Sequence, residues 1–199
     1  LLNNTSINNN GDSEIQVAEA RDYTVGLYLS TSGIQDITGL QAFANATNLD
    51  LSYNNVSIMD FRANRYLTGL HVGDNPLTSL NINGLSSITT LIISDTSLTD
   101  VDLSTHESLQ YLEAQYVHNI ANLDLSSNTN INYIYLSGNM LTNIDLRTGT
   151  NVSNNLFIET AGSPMLTGVF VDDPAFSLNN SMKDAITEFY QLDSECANF

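Results

Sequence analysis

A pair of apolar residues separated by one position returns along this chain every 21 or 22 residues: Leu27/Leu29, Leu49/Leu51, Leu70/Val72, Leu91/Ile93, Leu112/Ala114, Ile134/Leu136 and Leu156/Ile158. The other apolar positions return with it. LHVGDNPLTSLNINGLSSITT, from Leu70, aligns on LIISDTSLTDVDLSTHESLQY, from Leu91, with almost no polar intrusion at the buried positions. A unit this short cannot bury its apolar side chains alone, so the units must stack and share one continuous core. The short L-x-L segments then become parallel strands. With 199 residues and 42% apolar content, the chain has enough material for such a core.

Five residues after the first Leu of each unit stands a polar column, Ser32, Asn54, Asn75, Thr96 and Asn139. An Asn there can hydrogen-bond backbone groups of its own turn and of the neighbouring one, where no strand ladder does so. Val117 breaks the column. That same repeat carries one extra residue, which predicts a bulge at the edge of the array around YVHN, Tyr116 to Asn119.

The pattern L-x-L-x-x-N-x-L-x-x-L-x-L resembles a leucine-rich repeat, and LYLSTSGIQDITGLQAFANATNLDLSYNNVS, from Leu27, resembles the first repeats of secreted bacterial, broadly internalin-like proteins. The resemblance implies an α/β leucine-rich-repeat solenoid, a curved parallel-sheet horseshoe of about seven 21–22-residue repeats with a cap at each end. It also implies a surface-exposed binding module. The expected divisions are an N-terminal cap over 1–25, repeats over 26–173 and a C-terminal cap over 174–199. At the far end, VFVDDPAF supplies a last strand and a proline stop, and SMKDAITEFY reads as a capping helix. Ser181 and Asp184 sit at its start, with Met182, Ile186 and Phe189 on one face.

Before the first repeat, NNNGDSEIQVAE nearly matches a twelve-residue calcium loop and runs into a short helix, IQVAEARD. Calcium ligands would be Asn8, Asn10, Asp12, the Glu14 carbonyl, Gln16 and Glu19. Asn8 stands where Asp is usual, however, and Ser13 stands where a Gly normally makes the turn. With two carboxylates and no turn glycine, the loop reads either as a weak calcium site or as a plain cap; the segment also resembles the NGDGEI stretch found before such bacterial repeats.

If the paired Leu residues point inward, the residue between them points outward, on the concave side of the array. That column is Tyr28, Asp50, His71, Ile92, Glu113, Tyr135, Phe157 and Phe170. Flanking positions add Tyr111, Tyr133, Gln115, Tyr116, Glu159 and Asp172. Rings give rigid contact area and acids give direction, so Tyr111, Glu113, Tyr116, Tyr133, Tyr135, Phe157, Glu159 and Phe170 form the candidate ligand-binding surface. Cross-strand packing alone also favours aromatics in strands. A second column, Asp60, Asn81, Asp102, Asp124 and Asp145, follows the opposite edge of each unit, where solvation or weak cation binding must offset the stacking of like charges.

Five basic against 22 acidic residues, a net charge of -17, repel nucleic acid and anionic surfaces. Cys196 is alone, which excludes a disulfide framework or thiolate cluster, and no apolar run is long enough to span a membrane. The chain opens on LLNNTS, without a signal-peptide pattern, and reads as a mature fragment. No hydrolase, zinc, phosphate-loop or dinucleotide motif is present; Asp50 with His71, in adjacent repeats, is the strongest pair for chemistry. Taken with what the resemblance implies, the expectation is a secreted or cell-surface, non-enzymatic module that binds a protein partner. The alternatives are carbohydrate binding by rings without a Trp, or a self-associating spacer within a larger surface protein.

Overall fold

The recurring pairs fold as expected, because a two- or three-residue strand with buried alternate positions satisfies both the backbone ladder and the shared core. The computed structural model describes residues 6–149 and 156–172 and the backbone of residues 189–190. One face is a seven-stranded, wholly parallel sheet. Its strands, in spatial order, are β1 (Leu27–Tyr28), β2 (Asn48–Asp50), β4 (Gly69–His71), β6 (Thr90–Ile92), β7 (Tyr111–Glu113), β9 (Tyr133–Tyr135) and β11 (Phe157–Glu159). Leu27, Leu49, Leu70, Leu91, Leu112, Ile134 and Ile158 stand in register, all buried, so the intervals are 22, 21, 21, 21, 22 and 24 residues.

The last interval corrects the expected register. The expected pair Leu156/Ile158 is shifted by two residues, and Ile158 with the fully buried Thr160 takes the place that Ile134/Leu136 holds in the preceding repeat. Leu156, Ile158 and Thr160 are all buried. Inward alternation is therefore kept, and a periodicity of 22 cannot distinguish the two registers.

The opposite side of the solenoid carries a second set of short parallel strands. Here β3 (Ile58–Asp60) pairs with β5 (Ser79–Asn81), and β8 (Asn122–Asp124), β10 (Asn143–Asp145), β12 (Gly168–Phe170) and β13 (Phe189–Tyr190) form a four-stranded sheet. Phe170 thus stands beside Asp145 in register, not on the face of Tyr135. Its placement in the first column is corrected: Val169 continues the Leu123, Ile144 series, so the strand belongs to the other ladder. Among the described residues the helical content is small, one α-helix, α1 (Val17–Asp22), and one 3-10 turn at Leu40–Ala42, so the solenoid is a parallel β structure more than an α/β one. The helix expected over 181–190 lies largely outside the described residues; its last two residues, Phe189 and Tyr190, are strand instead.

Two side-chain columns stitch the turns together. Asn75, nearly fully buried, donates to the carbonyls of Leu51 (3.0 Å) and Val72 (3.1 Å) and accepts from the Val56 amide (3.1 Å). Asn54 and Asn139 repeat the arrangement in their own turns. Where Val117 interrupts the column, Asn139 of the next repeat binds the Val117 amide at 2.7 Å. The extra residue of that repeat is taken up at the exposed His118 and Asn119, after which Ile120 returns to the core.

A second column, which the sequence reading did not single out, serves the other turn. Asn64 binds the Leu40 and Phe43 carbonyls, and Asn128 binds those of Leu103 and His106. His106 is a fully buried member of this column, with Nε2 3.1 Å from the Ile82 carbonyl.

After every strand of the seven-stranded sheet the chain takes a left-handed residue at the same repeat position. These are Thr31, Tyr53, Asp74, Asp95 and Tyr116, with φ between 53° and 56°, followed by Gly138 and Gly162. From Thr31 to Gly138, each donates its amide to the next repeat, as Tyr53 does to Gly73 (3.2 Å) and Asp95 to Gln115 (2.9 Å). The ladder thereby gains one bond beyond the strand, at a steric cost of roughly 1 kcal/mol for each non-glycine residue. Truncating Asn75 to Ala would take this partner from three carbonyls, those of Leu51, Val72 and Gly73, and from the Val56 amide. Thermal unfolding followed by circular dichroism should show a loss of about 3 kcal/mol, with the exposed Asn83→Ala close to neutral as the control.

Candidate functional site

The candidate surface is the outward face of the seven-stranded sheet, because the core claims every alternate residue and leaves the intervening ones to solvent. Two columns run across it. One is Asn48, Gly69, Thr90, Tyr111, Tyr133, Phe157; the other is Tyr28, Asp50, His71, Ile92, Glu113, Tyr135, Glu159. Four rings pack at the C-terminal end, with centroid separations of 5.4 Å for Tyr111–Tyr135, 5.3 Å for Tyr135–Phe157, and 6.4 Å for both Tyr111–Tyr133 and Tyr133–Phe157. The interplanar angles of 39° to 46° make this a tilted, interlocked stack. Tyr133 remains half exposed at its centre.

The two-residue shift at β11 sharpens this arrangement. Phe157 opposes Tyr133, and Glu159 opposes Tyr135. Glu113 opposes Tyr135 from the other side, so Tyr135 has a carboxylate neighbour on each adjacent strand. Both acids are held by neutral donors. The Tyr111 hydroxyl donates to Glu113 Oε2 (2.8 Å), the Ser94 hydroxyl lies 3.4 Å from Glu113 Oε1, and the Ser137 hydroxyl donates to Glu159 Oε1 (2.9 Å). Burial, together with the hydrogen bond to Glu113 and its charge, raises the Tyr111 pKa well above the usual tyrosine value, so the proton stays on the phenol and Glu113 remains the acceptor.

Of the other expected residues, Tyr116 is not in the stack. It belongs to the left-handed row and lies over Gly138, where any Cβ would collide with its ring. Phe170 sits on the other sheet, where the Arg147 guanidinium lies 5.6 Å from its ring centroid and pairs with Asp145. The same left-handed row adds three residues to the face that the sequence reading passed over, Tyr53, Asp74 and Asp95; their signal was the fixed offset of four from each first Leu. Asp74 has its pKa raised, first by burial and then by the charge of Asp95. Asp50 Oδ1 lies 3.5 Å from His71 Nδ1, which brings the expected pair together on open sheet.

The opposite acidic column acts locally. Asp60, Asp102, Asp124 and Asp145 each accept the backbone amide two residues on, at 2.9 to 3.1 Å, closing a turn. The N-terminal loop is also closed by its own groups. Glu19, buried, accepts the amides of Asn9 (2.9 Å) and Asn10 (3.2 Å) on one oxygen and that of Gln16 (3.0 Å) on the other. Asp12 accepts from the Glu14 amide and from the Gln16 and Asn10 side chains, and Asn8 accepts the Gly11 amide. As arranged, the would-be bidentate acid already accepts from three amides, bonds that a calcium ion at this loop would have to replace. Behind the loop, a cavity of about 430 Å³ between α1 and the first repeats is lined mainly by apolar side chains, including Ile15, Leu29, Ile37 and Phe43.

Repeated L-x-L strands, amide columns and a seven-stranded parallel sheet built one strand per repeat define a leucine-rich-repeat solenoid. The fold is internalin-like. The chain superposes on the functional domain of InlJ from Listeria monocytogenes with a TM-score of 0.66 at 20% identity, covering 90% of this chain and 41% of that one. It also matches an internalin, InlF, from Listeria monocytogenes (0.58, 18%, 79% and 50%) and the leucine-rich-repeat domain of APL1 (0.59, 18%, 79% and 45%). The chain therefore spans half or less of the length of each of these structures. No protein-family model matches the sequence, and no curated protein matches it. At this identity the likeness shows the fold and not the ligand.

Asp74 binds its proton more readily in the folded state, so its ionisation costs stability above its raised pKa and nothing below the ordinary carboxylate value of 3.8. Asp74→Asn should therefore raise the melting temperature at pH 7, with the gain shrinking as pH falls toward about 3.8; an equal gain at pH 3 and pH 7 would contradict this. Asp60 and Asp102 act in the opposite sense: the Arg62 and Ser104 side chains lower their pKa values, so their contribution is present above 3.8 and lost as pH falls through the lowered values. Separately, Glu19→Gln should speed hydrogen exchange at the Asn9, Asn10 and Gln16 amides and cost roughly 1–2 kcal/mol, by the same amount in calcium and in chelator. A calcium-dependent difference would instead make Glu19 a ligand.

Proposed function

We propose that this domain is an extracellular, non-enzymatic protein-binding module whose contact surface is the aromatic and acidic patch on the seven-stranded sheet. The observation that carries this reading is the interlocked stack of Tyr111, Tyr133, Tyr135 and Phe157 on an open sheet, with Glu113 and Glu159 at its edge. Rigid rings lose little entropy on binding, and partly exposed ones give up water cheaply, which is why such residues dominate contact energies. Asp50 and His71 lie on adjacent strands of the outward face with both side chains partly exposed, where a substrate would meet water. Solvated carboxylates and a large negative charge suit an extracellular domain. In this reading the N-terminal loop is a cap that starts the solenoid, and calcium, if taken up, would replace hydrogen bonds already present.

The test is a double truncation, Tyr135→Ala with Phe157→Ala. Both side chains are partly exposed, so the solenoid should keep its circular dichroism spectrum while binding of cross-linked cell-surface proteins falls by about tenfold or more. Unchanged interactions would sink the patch as the contact surface. Binding that survives protease treatment of the target surface but not deglycosylation would replace the protein partner with a carbohydrate.

A further inference from the structure

Among the described residues, no lysine or arginine balances the charges on this face. Asp50, Asp74, Asp95, Glu113 and Glu159 line the seven-stranded sheet and its left-handed row, and none of the four described arginines lies in either. Arg62 and Arg147 are paired on the opposite side of the repeats with Asp60 and Asp145, Arg21 is paired with Asp22, and Arg65 donates to the Arg62 carbonyl. His71 beside Asp50 is the one titratable nitrogen among the described residues of the face's two columns. The Asp74 pKa is raised first by burial, and the charges of Asp95 and Glu113 add to it.

The distribution of partners is selective. Glu113 and Glu159 are oriented by hydroxyl donors, which fix their direction without cancelling their charge. Between them in register lies the partly exposed ring of Tyr135, in contact with Tyr111 on one side and Phe157 on the other. Parallel strands are about 4.8 Å apart, so the two carboxylates stand about one strand to either side of the ring. A flat cation laid on that ring would have a π face beneath it and an acceptor at each edge. Guanidinium meets this requirement better than ammonium, because it is planar, weakly hydrated and carries donors along its edges.

We infer that the patch takes an arginine side chain of a basic polypeptide segment, stacked on Tyr135 and hydrogen-bonded to Glu113 and Glu159. The inference rests on the protein-binding reading above and narrows it to one partner chemistry. The sheet supplies stacking area, the two acids supply specificity, and the acidic stretch through Asp95, Asp74 and Asp50 supplies long-range attraction for neighbouring basic residues. Because the site is open, dependence on salt should be strong for encounter and weaker for the stacked anchor.

The probe is a capped hexa-arginine peptide, compared with hexa-lysine and with the same peptide in which citrulline replaces arginine, titrated into the domain at 0.15 M salt and followed by chemical shifts. Citrulline keeps the planar group and removes its charge. Expected are shifts centred on Tyr135 and Phe157, binding tighter for arginine than for lysine, and none for citrulline. Glu113→Gln with Glu159→Gln, and separately Tyr135→Leu, should weaken binding about tenfold. Asp36→Asn with Asp102→Asn removes the same net charge elsewhere, at turns whose asparagines can still accept the same amides, and should change binding less than twofold. Equal weakening by both charge-removing pairs would show only the diffuse field of the molecule and would overturn the anchor. Equal affinity for arginine and lysine would do the same. A partner whose binding is lost with Tyr135→Ala and Phe157→Ala but kept with both Gln substitutions would refute the arginine anchor while leaving the patch as a protein-binding surface.

Discussion

A strand of three residues followed at once by a sharp turn leaves more backbone amides and carbonyls inside the fold than its ladder can pair, and everything else in this solenoid answers that constraint. Buried amide and carbonyl groups left without partners would each cost about 1–3 kcal/mol, and the deficit recurs in every repeat. The chain answers with three devices. Asn54, Asn75 and Asn139 pair the turn after the seven-stranded sheet, and Asn64, His106 and Asn128 pair the other turn. The left-handed residue after each strand carries the ladder one bond further. Apolar packing then stacks units that are already closed, so each repeat depends chiefly on its two neighbours.

The same logic explains how so acidic a chain folds. Most aspartates on the side opposite the seven-stranded sheet close a turn by accepting the amide two residues on, and two of them also hold an arginine. Asp60 and Asp145 therefore have a positive partner, whereas Asp102 and Asp124, held by amides and serine hydroxyls, keep their charge. On the seven-stranded sheet the acids accept from hydroxyls or lie beside other acids, and their charge is carried outward. Among the described residues the asymmetry therefore lies in where the arginines stand, since Arg62 and Arg147 pair with acids on that side and no arginine lies on the seven-stranded sheet.

The contact surface inherits its geometry from the core. Parallel register lines up every fixed position, so the residues between buried positions form straight columns, and any side chain placed there gains neighbours at strand spacing. Three tyrosines and a phenylalanine use this to interlock. The left-handed row adds a parallel margin in which Tyr53, Asp74, Asp95 and Tyr116 accept backbone strain that glycine would have avoided, as it does in the next two repeats. Strain kept at five successive non-glycine positions, from Thr31 to Tyr116, fits side chains that have a use on that margin.

Much of this was legible from spacing. The stacked parallel strands, the asparagine column, the place of the inserted residue, and the outward columns through Tyr111, Glu113, Tyr133 and Tyr135 follow from a 21-residue period and the alternation of side chains, which are local and periodic rules. Three things were decided by the tertiary structure. The 24-residue interval before β11 put Phe157 beside Tyr133 and Glu159 beside Tyr135, because a shift of two residues leaves inward alternation intact and only contact with β9 distinguishes the registers. Phe170 went to the second sheet because Val169 packs in line with Ile144, a neighbour 25 residues away that no repeat of 22 points to. Glu19 became the clasp of its loop because its carboxylate reaches amides nine and ten residues back, and a motif written in oxygen-bearing residues does not say whether an ion or a backbone amide meets them. The sequence by itself determined which residues must be buried and which must face out; the structure decided which of the outward ones stand next to each other, since adjacency depends on register between strands and register is a property of the packed array.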